Sequence, residues 1–310
     1  MTNTHTVAVV QAAPKAFDTS ATMAMVHDYL QQAAQAGARL VVFPEAFLGA
    51  YPKGLDFGAR VGSRSEAGRD EFARYHAAAI DEHGDEVRQL CEWAQSYQLS
   101  IVMGCVERDG GTLYCTVLFI DEQGRYLGKH RKLMPTAMER LIWGFGDGST
   151  LTVVDTAVGK TGAVICWENY MPLLRTAMYA QGVQIYCAPT VDDRESWLPS
   201  MRHIAVEGRC FVLSACQFAK RSDYPADYDC IQGQDPDTVL IRGGSCIVNP
   251  FGDVLAGPLY NESGLLLAEV ELNQIPRGQY DLDTVGHYAR PDVFELQVNC
   301  QPQQAVKMGE

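Results

Sequence analysis

RLVVFP (39–44) sets four apolar residues between an arginine and a proline. A strand with no polar residue on either parity has no face to offer water, so it must be covered on both sides. The reading is a strand in a sheet layered between other elements. Working outward, TVAVVQAA (6–13) is a second such strand. Thr19 or Ser20 is the expected N-cap of an amphipathic helix that follows, with Val26, Leu30, Ala33 and Ala34 on one face and an end near Gly37. Beyond a glycine-bearing polar loop (49–68), helical segments are expected at 69–80 and 84–97. Strands are expected at 100–107 and 113–120, with DEQGR (121–125) turning the chain into a short extension.

Further strands are expected at 151–155, 160–166, 184–188, 210–216, 245–249 and 264–270, with helices at 172–181 and 196–208. The stretch 220–242, rich in Asp and punctuated by Pro, reads as a surface loop. No repeat, low-complexity tract or linker divides the chain, so the expectation is one α/β domain. Its second half has fewer helices between strands, which points to two packed sheets with helices outside them.

The 310 residues, 47% hydrophobic and 20% charged, are enough for a sizeable core. A formal charge of −13 argues against a broad phosphate-binding face, and so against nucleic acid as a partner. The first residues, MTNTHTVAVVQAAP, lack the basic and long apolar regions of a signal peptide, and no run reaches the ~18 apolar residues of a membrane span. A soluble, cytoplasmic protein with no membrane partner is expected. The ten cysteines form no C-x-x-C pair and no zinc-like Cys/His spacing, so reduced thiols and no metal are the expectation.

Three reactive side chains share one context. Glu45 directly follows LVVFP, Cys166 directly follows AVI (163–165), and Lys132 stands in GKHRKLMP (128–135) after the 113–127 strand and turn. Functional groups in α/β sheets gather at the carboxyl ends of strands. A carboxylate, an ammonium and a thiol meeting there suit acyl transfer through a thioester. The thiol needs a base, which Glu45 supplies, or a positive field, which Lys132 and the helix opening at Pro172 supply. Lys132 would also stabilise charge on the atom bonded to the attacked carbon, together with a backbone N–H near Trp167. Each residue has a blander reading: a core thiol, a solvated Glu and an exposed basic run. His130 is expected to orient backbone.

Three longer stretches carry a resemblance. VVFPEAFLGAYP (41–52), GKHRKLMPTAMERLIWGFGDGS (128–149) and GAVICWENYMPLLRTAMYAQG (162–182) closely resemble the nitrilase family of carbon–nitrogen hydrolases. The likeness extends through YCAPT (186–190), EGRCFVLSACQF (207–218), GGSCIVNPFGDVLAGP (243–258) and GHYARPDVF (286–294), and looks closest to plant and bacterial nitrilases. It implies a four-layer α-β-β-α sandwich, a single carbon–nitrogen hydrolase domain over 1–310 and a short C-terminal tail from about 296. The family's Glu–Lys–Cys triad falls on Glu45, Lys132 and Cys166, and its additional glutamate on Glu139 in PTAMER (135–140). Tyr51, Trp143, Trp167, Thr190 and Trp197 become candidate pocket-lining residues. A homodimer or larger homo-oligomer, in some relatives a spiral or filament, is also implied.

The implied reaction is hydrolysis of a small organic nitrile to the acid and ammonia through a Cys166 thioimidate and thioester, with no cofactor. An amidase or carbamoylase on the same triad, a hydratase-like amide output, and a binding protein that only inherited the fold are the alternatives. CWEN (166–169) after the nucleophile resembles nitrilases rather than amidases.

Overall fold

The computed structural model describes residues 4–306. In chain order the strands and helices are β1 (Thr4–Gln11), α1 (Thr19–Gln35), β2 (Ala38–Val42), α2 (Glu66–Ala78), α3 (Asp85–Tyr97), β3 (Ser100–Asp109), β4 (Thr112–Ile120) and β5 (Tyr126–Arg131). Then follow β6 (Val153–Thr156), β7 (Gly159–Ala163), α4 (Pro172–Ala180), β8 (Ile185–Cys187), α5 (Trp197–Gly208) and β9 (Phe211–Ser214). The last are β10 (Phe218–Lys220), β11 (Val239–Val248), β12 (Val254–Tyr260), β13 (Gly264–Glu271) and α6 (Gln274–Gln279).

Two sheets result. One runs β13-β1-β2-β3-β4-β5; the other runs β10-β11-β9-β8-β7-β6, with β12 paired to β11. The central strands β1, β2 and β3 are parallel, as are β7, β8 and β9. Side-chain alternation divides the apolar residues between layers. On β1 and β2, Val7, Val9, Leu40 and Val42 point into the space between the sheets, where they meet Ile185, Phe211, Leu213 and Ile247. Their neighbours Ala8, Val10, Val41 and Phe43 pack outward beneath Val26 and Leu30 of α1 and Val87 and Leu90 of α3. On the far side, Tyr186 and Val212 pack outward against Met178 of α4 and Met201 and Ile204 of α5. The α-β-β-α sandwich expected from the sequence is the observed fold, and the apolar strands are covered on both faces for that reason.

Local differences have physical causes. The N-cap of α1 is Asp18, whose carboxylate accepts the Ala21 N–H at 2.9 Å, so the helix starts at Thr19. The strand expected at 160–166 ends at Ala163, and Cys166 opens a separate 3₁₀ turn (Cys166–Tyr170) before α4. β10 and β12 were not legible: β10 is three residues long, and β12 carries Gly and Pro within it. The loop expected at 220–242 is shorter, because residues 239–242 open β11 and Lys220 closes β10, and it is not a purely surface loop. Buried Arg221 donates to the carbonyls of Tyr224, Pro225, Ala226 and Tyr228, folding the loop around its own side chain. Tyr224 and Tyr228 then donate to the carbonyls of Tyr51 (2.9 Å) and Lys53 (2.6 Å). The loop thereby clamps the segment after Glu45. No helix among the described residues is long and apolar enough to cross a membrane.

The Glu45 segment is held from its other side by β3. Phe47 and Leu48 donate their N–H groups to the Gly104 carbonyl (2.9 and 3.1 Å). A Cβ on Gly104 would stand 1.9 Å from the Pro44 oxygen, a backbone atom with no room to yield. Gly104→Ala is therefore expected to lower stability by ~1–3 kcal/mol and to displace Glu45. Thermal unfolding and kcat measured together check this; a variant with parental values of both would refute the close approach.

Candidate active site

Glu45 stands three residues past the end of β2, Lys132 directly after β5, and Cys166 three residues past β7. All three converge at one end of the space between the sheets and are almost fully buried, at 0%, 1% and 3% exposure. Lys132 Nζ donates to Glu45 Oε1 at 2.6 Å and to Glu139 Oε2 at 2.8 Å. Tyr51 donates its hydroxyl to Glu139 Oε1 at 2.7 Å. Thr136 N–H donates to Glu139 Oε2 at 2.7 Å, closing a capping box that fixes this carboxylate on its own short turn. The sequence-derived triad and its additional glutamate are thus one cluster.

Cys166 has φ of +50°, a left-handed conformation that costs a side-chain-bearing residue about 1–2 kcal/mol. Surrounding hydrogen bonds hold it there. Its N–H donates to the Pro189 carbonyl at 2.9 Å, and buried Asn169 donates Nδ2 to the carbonyls of Val164 and Cys166, both at 2.8 Å. The thiol is turned out of the strand line toward Thr190, whose hydroxyl donates to Sγ at 3.2 Å.

The electrostatics differ in one respect from the sequence reading. Of the two routes the sequence offers to an active thiol, a base at Glu45 or a positive field from Lys132, the second would draw its pKa down. Instead, burial pushes the Cys166 thiol up, the Glu45 charge adds to this, and Lys132 only partly opposes them. Burial and that charge both favour the neutral thiol over a thiolate. Burial also raises the Glu45 carboxyl; Lys132 opposes, and the Glu139 charge reinforces the rise. For Lys132, burial works against its charge but is outweighed, first by Glu45, so the ammonium is retained. Glu45 Oε1 is taken by Lys132 and by the Cys115 thiol at 3.5 Å. Its Oε2 is buried with no hydrogen-bond partner among the described residues, which leaves it free to accept a proton.

Four of the five lining candidates surround this cluster. Tyr51 and Trp167 border a cavity of about 200 Å³ that opens on Cys166, together with Lys53, Thr136, Glu139 and the 191–194 segment. Thr190 lies beneath the sulfur. Trp143 places its ring 5.5 Å from Lys132 Nζ, packs edge-on to Tyr51 and donates Nε1 to Tyr75 at 3.1 Å. It also lines an adjoining cavity of about 330 Å³, walled by Leu55, Phe57 and Ile142, that shares Tyr51 and Glu139 with the first. Trp167 is 41% exposed, held by Asp192 Oδ2 at 2.8 Å beneath the Arg194 guanidinium. Trp197 is elsewhere. It begins α5 in the core outside the second sheet and donates Nε1 to Ser214 Oγ at 2.9 Å, so it lines neither cavity. An apolar ring at the start of an amphipathic helix is placed by the helix's buried face, and here that face looks away from the site.

Sequence reasoning missed three buried groups that touch the cluster. Gln217 donates to the Glu45 carbonyl at 2.7 Å, Cys115 contacts the Glu45 carboxylate, and Glu168 braces the turn that carries Cys166. The only signal for them is a polar residue or thiol inside an otherwise apolar run. Among the described residues, no group of three or more His, Cys, Asp and Glu side chains is arranged to hold a metal ion.

With Glu45 as the expected proton acceptor, which works only when ionised, and its pKa raised, activity is expected to fall as pH drops through a value above 4.5. Glu139→Gln removes the neighbouring charge and should move that acid limb downward. A kcat/KM profile against pH checks both; a parental limb at or below the ordinary carboxylate range would contradict the assignment. Trp197→Phe should lower the unfolding temperature while leaving KM unchanged, which steady-state kinetics and calorimetry would test.

A family sequence model described as carbon-nitrogen hydrolase matches residues 6–279. A nitrilase from Bradyrhizobium diazoefficiens is 57% identical over 304 residues, covering 98% of this chain and 95% of the relative. A bifunctional nitrilase/nitrile hydratase of Nicotiana tabacum is 56% identical over 292 residues, covering 93% and 84%. An aliphatic nitrilase of Sinorhizobium fredii is 56% identical over 299 residues, covering 96% and 97%. Among solved structures, the C. elegans NitFhit protein aligns with a TM-score of 0.74 at 19% identity, covering 98% of this chain and 69% of that one. Saccharomyces cerevisiae Nit3 aligns at 0.69 and 20%, covering 92% and 96%. At such identities these two likenesses speak for the fold.

Proposed function

The chain belongs to the carbon–nitrogen hydrolase family, and from that premise we propose that it is a nitrilase, converting an organic nitrile to its carboxylic acid and ammonia. The observation that carries the mechanism is the buried Lys132 ammonium bonded to both Glu45 and Glu139 beside the Cys166 thiol. Glu45 takes the thiol proton as Sγ attacks the nitrile carbon, and that proton passes to nitrogen, giving a thioimidate. Lys132 stabilises the charge that develops on nitrogen. Water, losing a proton to a carboxylate, adds to the carbon. The carboxylate passes that proton to the imine nitrogen, making it an amino group. A second proton, lost by the new hydroxyl, then expels ammonia and leaves a thioester, which a second water, positioned by Glu45 or Glu139, hydrolyses to the acid and the free thiol.

Loss of sulfur instead of ammonia from the tetrahedral adduct gives the amide. That second output is favoured as a minor route by the 56% identity to proteins named for both activities. An amidase or carbamoylase reading has less support: the amidases whose structures are similar share only 18–19% identity, against 53–57% for the nitrilases. The substrate is a small-molecule nitrile. Family likeness supports a homo-oligomer, and all ten cysteines being free supports a reducing, cytosolic setting.

Cys166→Ala is expected to fold and to abolish ammonia release from nitriles. Parental enzyme is expected to release ammonia faster from a nitrile than from the matching amide, with product masses giving the acid-to-amide ratio. Faster turnover of the amide would replace the nitrilase reading with an amidase.

A further inference from the structure

Two residues beyond the nucleophile, the Glu168 side chain is completely buried and takes three donors from two segments. Leu133 N–H, next to Lys132, donates to Oε1 at 2.6 Å. Ile165 N–H, next to Cys166, donates to Oε2 at 2.9 Å. His130 Nε2 meets Oε2 at 3.0 Å. The other ring nitrogen, Nδ1, faces the Thr150 carbonyl at 2.9 Å and must donate to it, since a carbonyl oxygen only accepts. Burial works against a charge on His130, but the Glu168 carboxylate outweighs it and raises the imidazole's proton affinity, and both ring nitrogens face acceptor oxygens. The result is a charge-assisted brace whose one carboxylate joins the backbone beside the ammonium to the backbone beside the thiol.

We propose that Glu168 is the positioning residue of this site, fixing the separation between Lys132 and Cys166 through Leu133 N–H, Ile165 N–H and His130. No other side chain among the described residues bonds the two immediate neighbours of these groups. The brace acts where the backbone is least at ease, since Cys166 is left-handed and relaxes toward ordinary φ once its turn is freed. Reacting groups misplaced by about 1 Å lose on the order of 100-fold in rate. This inference rests on Cys166 and Lys132 carrying the reaction as proposed above.

Glu168→Gln tests it. An amide has one acceptor oxygen where the carboxylate serves donors with two, so at least one strut is lost with little change in volume. Expected are a kcat per folded molecule lowered about 100-fold, a KM close to parental, and slower alkylation of Cys166 by iodoacetamide. A purely structural role would lower the unfolding temperature and folded fraction while leaving kcat per folded molecule and the alkylation rate as they were, which would overturn the proposal. If Glu168→Gln does not fold, the pair His130→Gln and His130→Asn decides. Gln reaches the Nε2 position and keeps a donor on Glu168; Asn reaches only toward Thr150. The Gln variant should retain clearly more kcat per folded molecule, and equal values would refute the brace. Cys166→Ala run in parallel separates the two readings: its retained turnover defeats the mechanism itself, whereas an inactive Cys166→Ala beside fully active Glu168 and His130 variants defeats only this inference.

Discussion

Everything at the candidate site depends on one buried ammonium. Taking Lys132 and two carboxylates out of water costs several kcal/mol per ion, and only close mutual contact offsets it. Bonds of 2.6 and 2.8 Å to Glu45 and Glu139 meet that requirement, and they also fix the geometry, since each partner arrives from a different part of the chain. Removing the ammonium would leave two buried carboxylates without compensation. The rest of the fold can be read as the means of delivering these groups: parallel strands bring Glu45 and Cys166 to one end, and β5 ends where Lys132 is needed.

The delivery is tight rather than approximate. Gly104 lets β3 approach the Pro44–Glu45 backbone, Gln217 holds the Glu45 carbonyl, and the 220–242 loop grips the Tyr51–Lys53 segment through two tyrosine hydroxyls. The two sheets are also tied directly. Gln11 of β1 accepts from Gly244 and Ser245 of β11 at 3.0 and 2.9 Å, where consecutive left-handed glycines allow the close approach. Polar groups buried between sheets are costly unless satisfied, and here they are used where register matters most.

Apolar patterning made the layers legible in the sequence, because a strand such as LVVF with no polar parity can be placed in only one kind of sheet. It also located Glu45 and Cys166, since strand ends are where apolar runs stop. What it could not convey was anything set by long-range contact. Arg221 reads as a polar loop residue yet is buried by carbonyls of its own loop, and Trp197 reads as a pocket aromatic yet faces a helix-covered core. Glu168 reads only as a charge in CWEN, but its three donors lie 35, 38 and 3 residues away. The thiol's proton affinity was not legible for the same reason: the sequence offered a base and a neighbouring cation, whereas the fold also supplies burial and two anions.

That balance bears on how the proposed nucleophile is activated. Cys166 is one of several buried thiols whose pKa is raised; Cys187 and Cys210 are pushed up likewise, and Cys246 to about 12, each chiefly by burial. Proton affinity therefore does not distinguish it. Position does: it alone combines an opening onto the cavity with a neighbouring carboxylate whose own affinity for protons is raised. Two carboxylates against one ammonium leave the cluster one unit negative, which disfavours a standing thiolate but suits a base that must surrender its proton again. Addition to a nitrile needs that return, because the proton leaving sulfur has to end on nitrogen. A site tuned to hold a thiolate permanently would begin with a better nucleophile and a worse acid. Here the geometry favours the transfer over the ion.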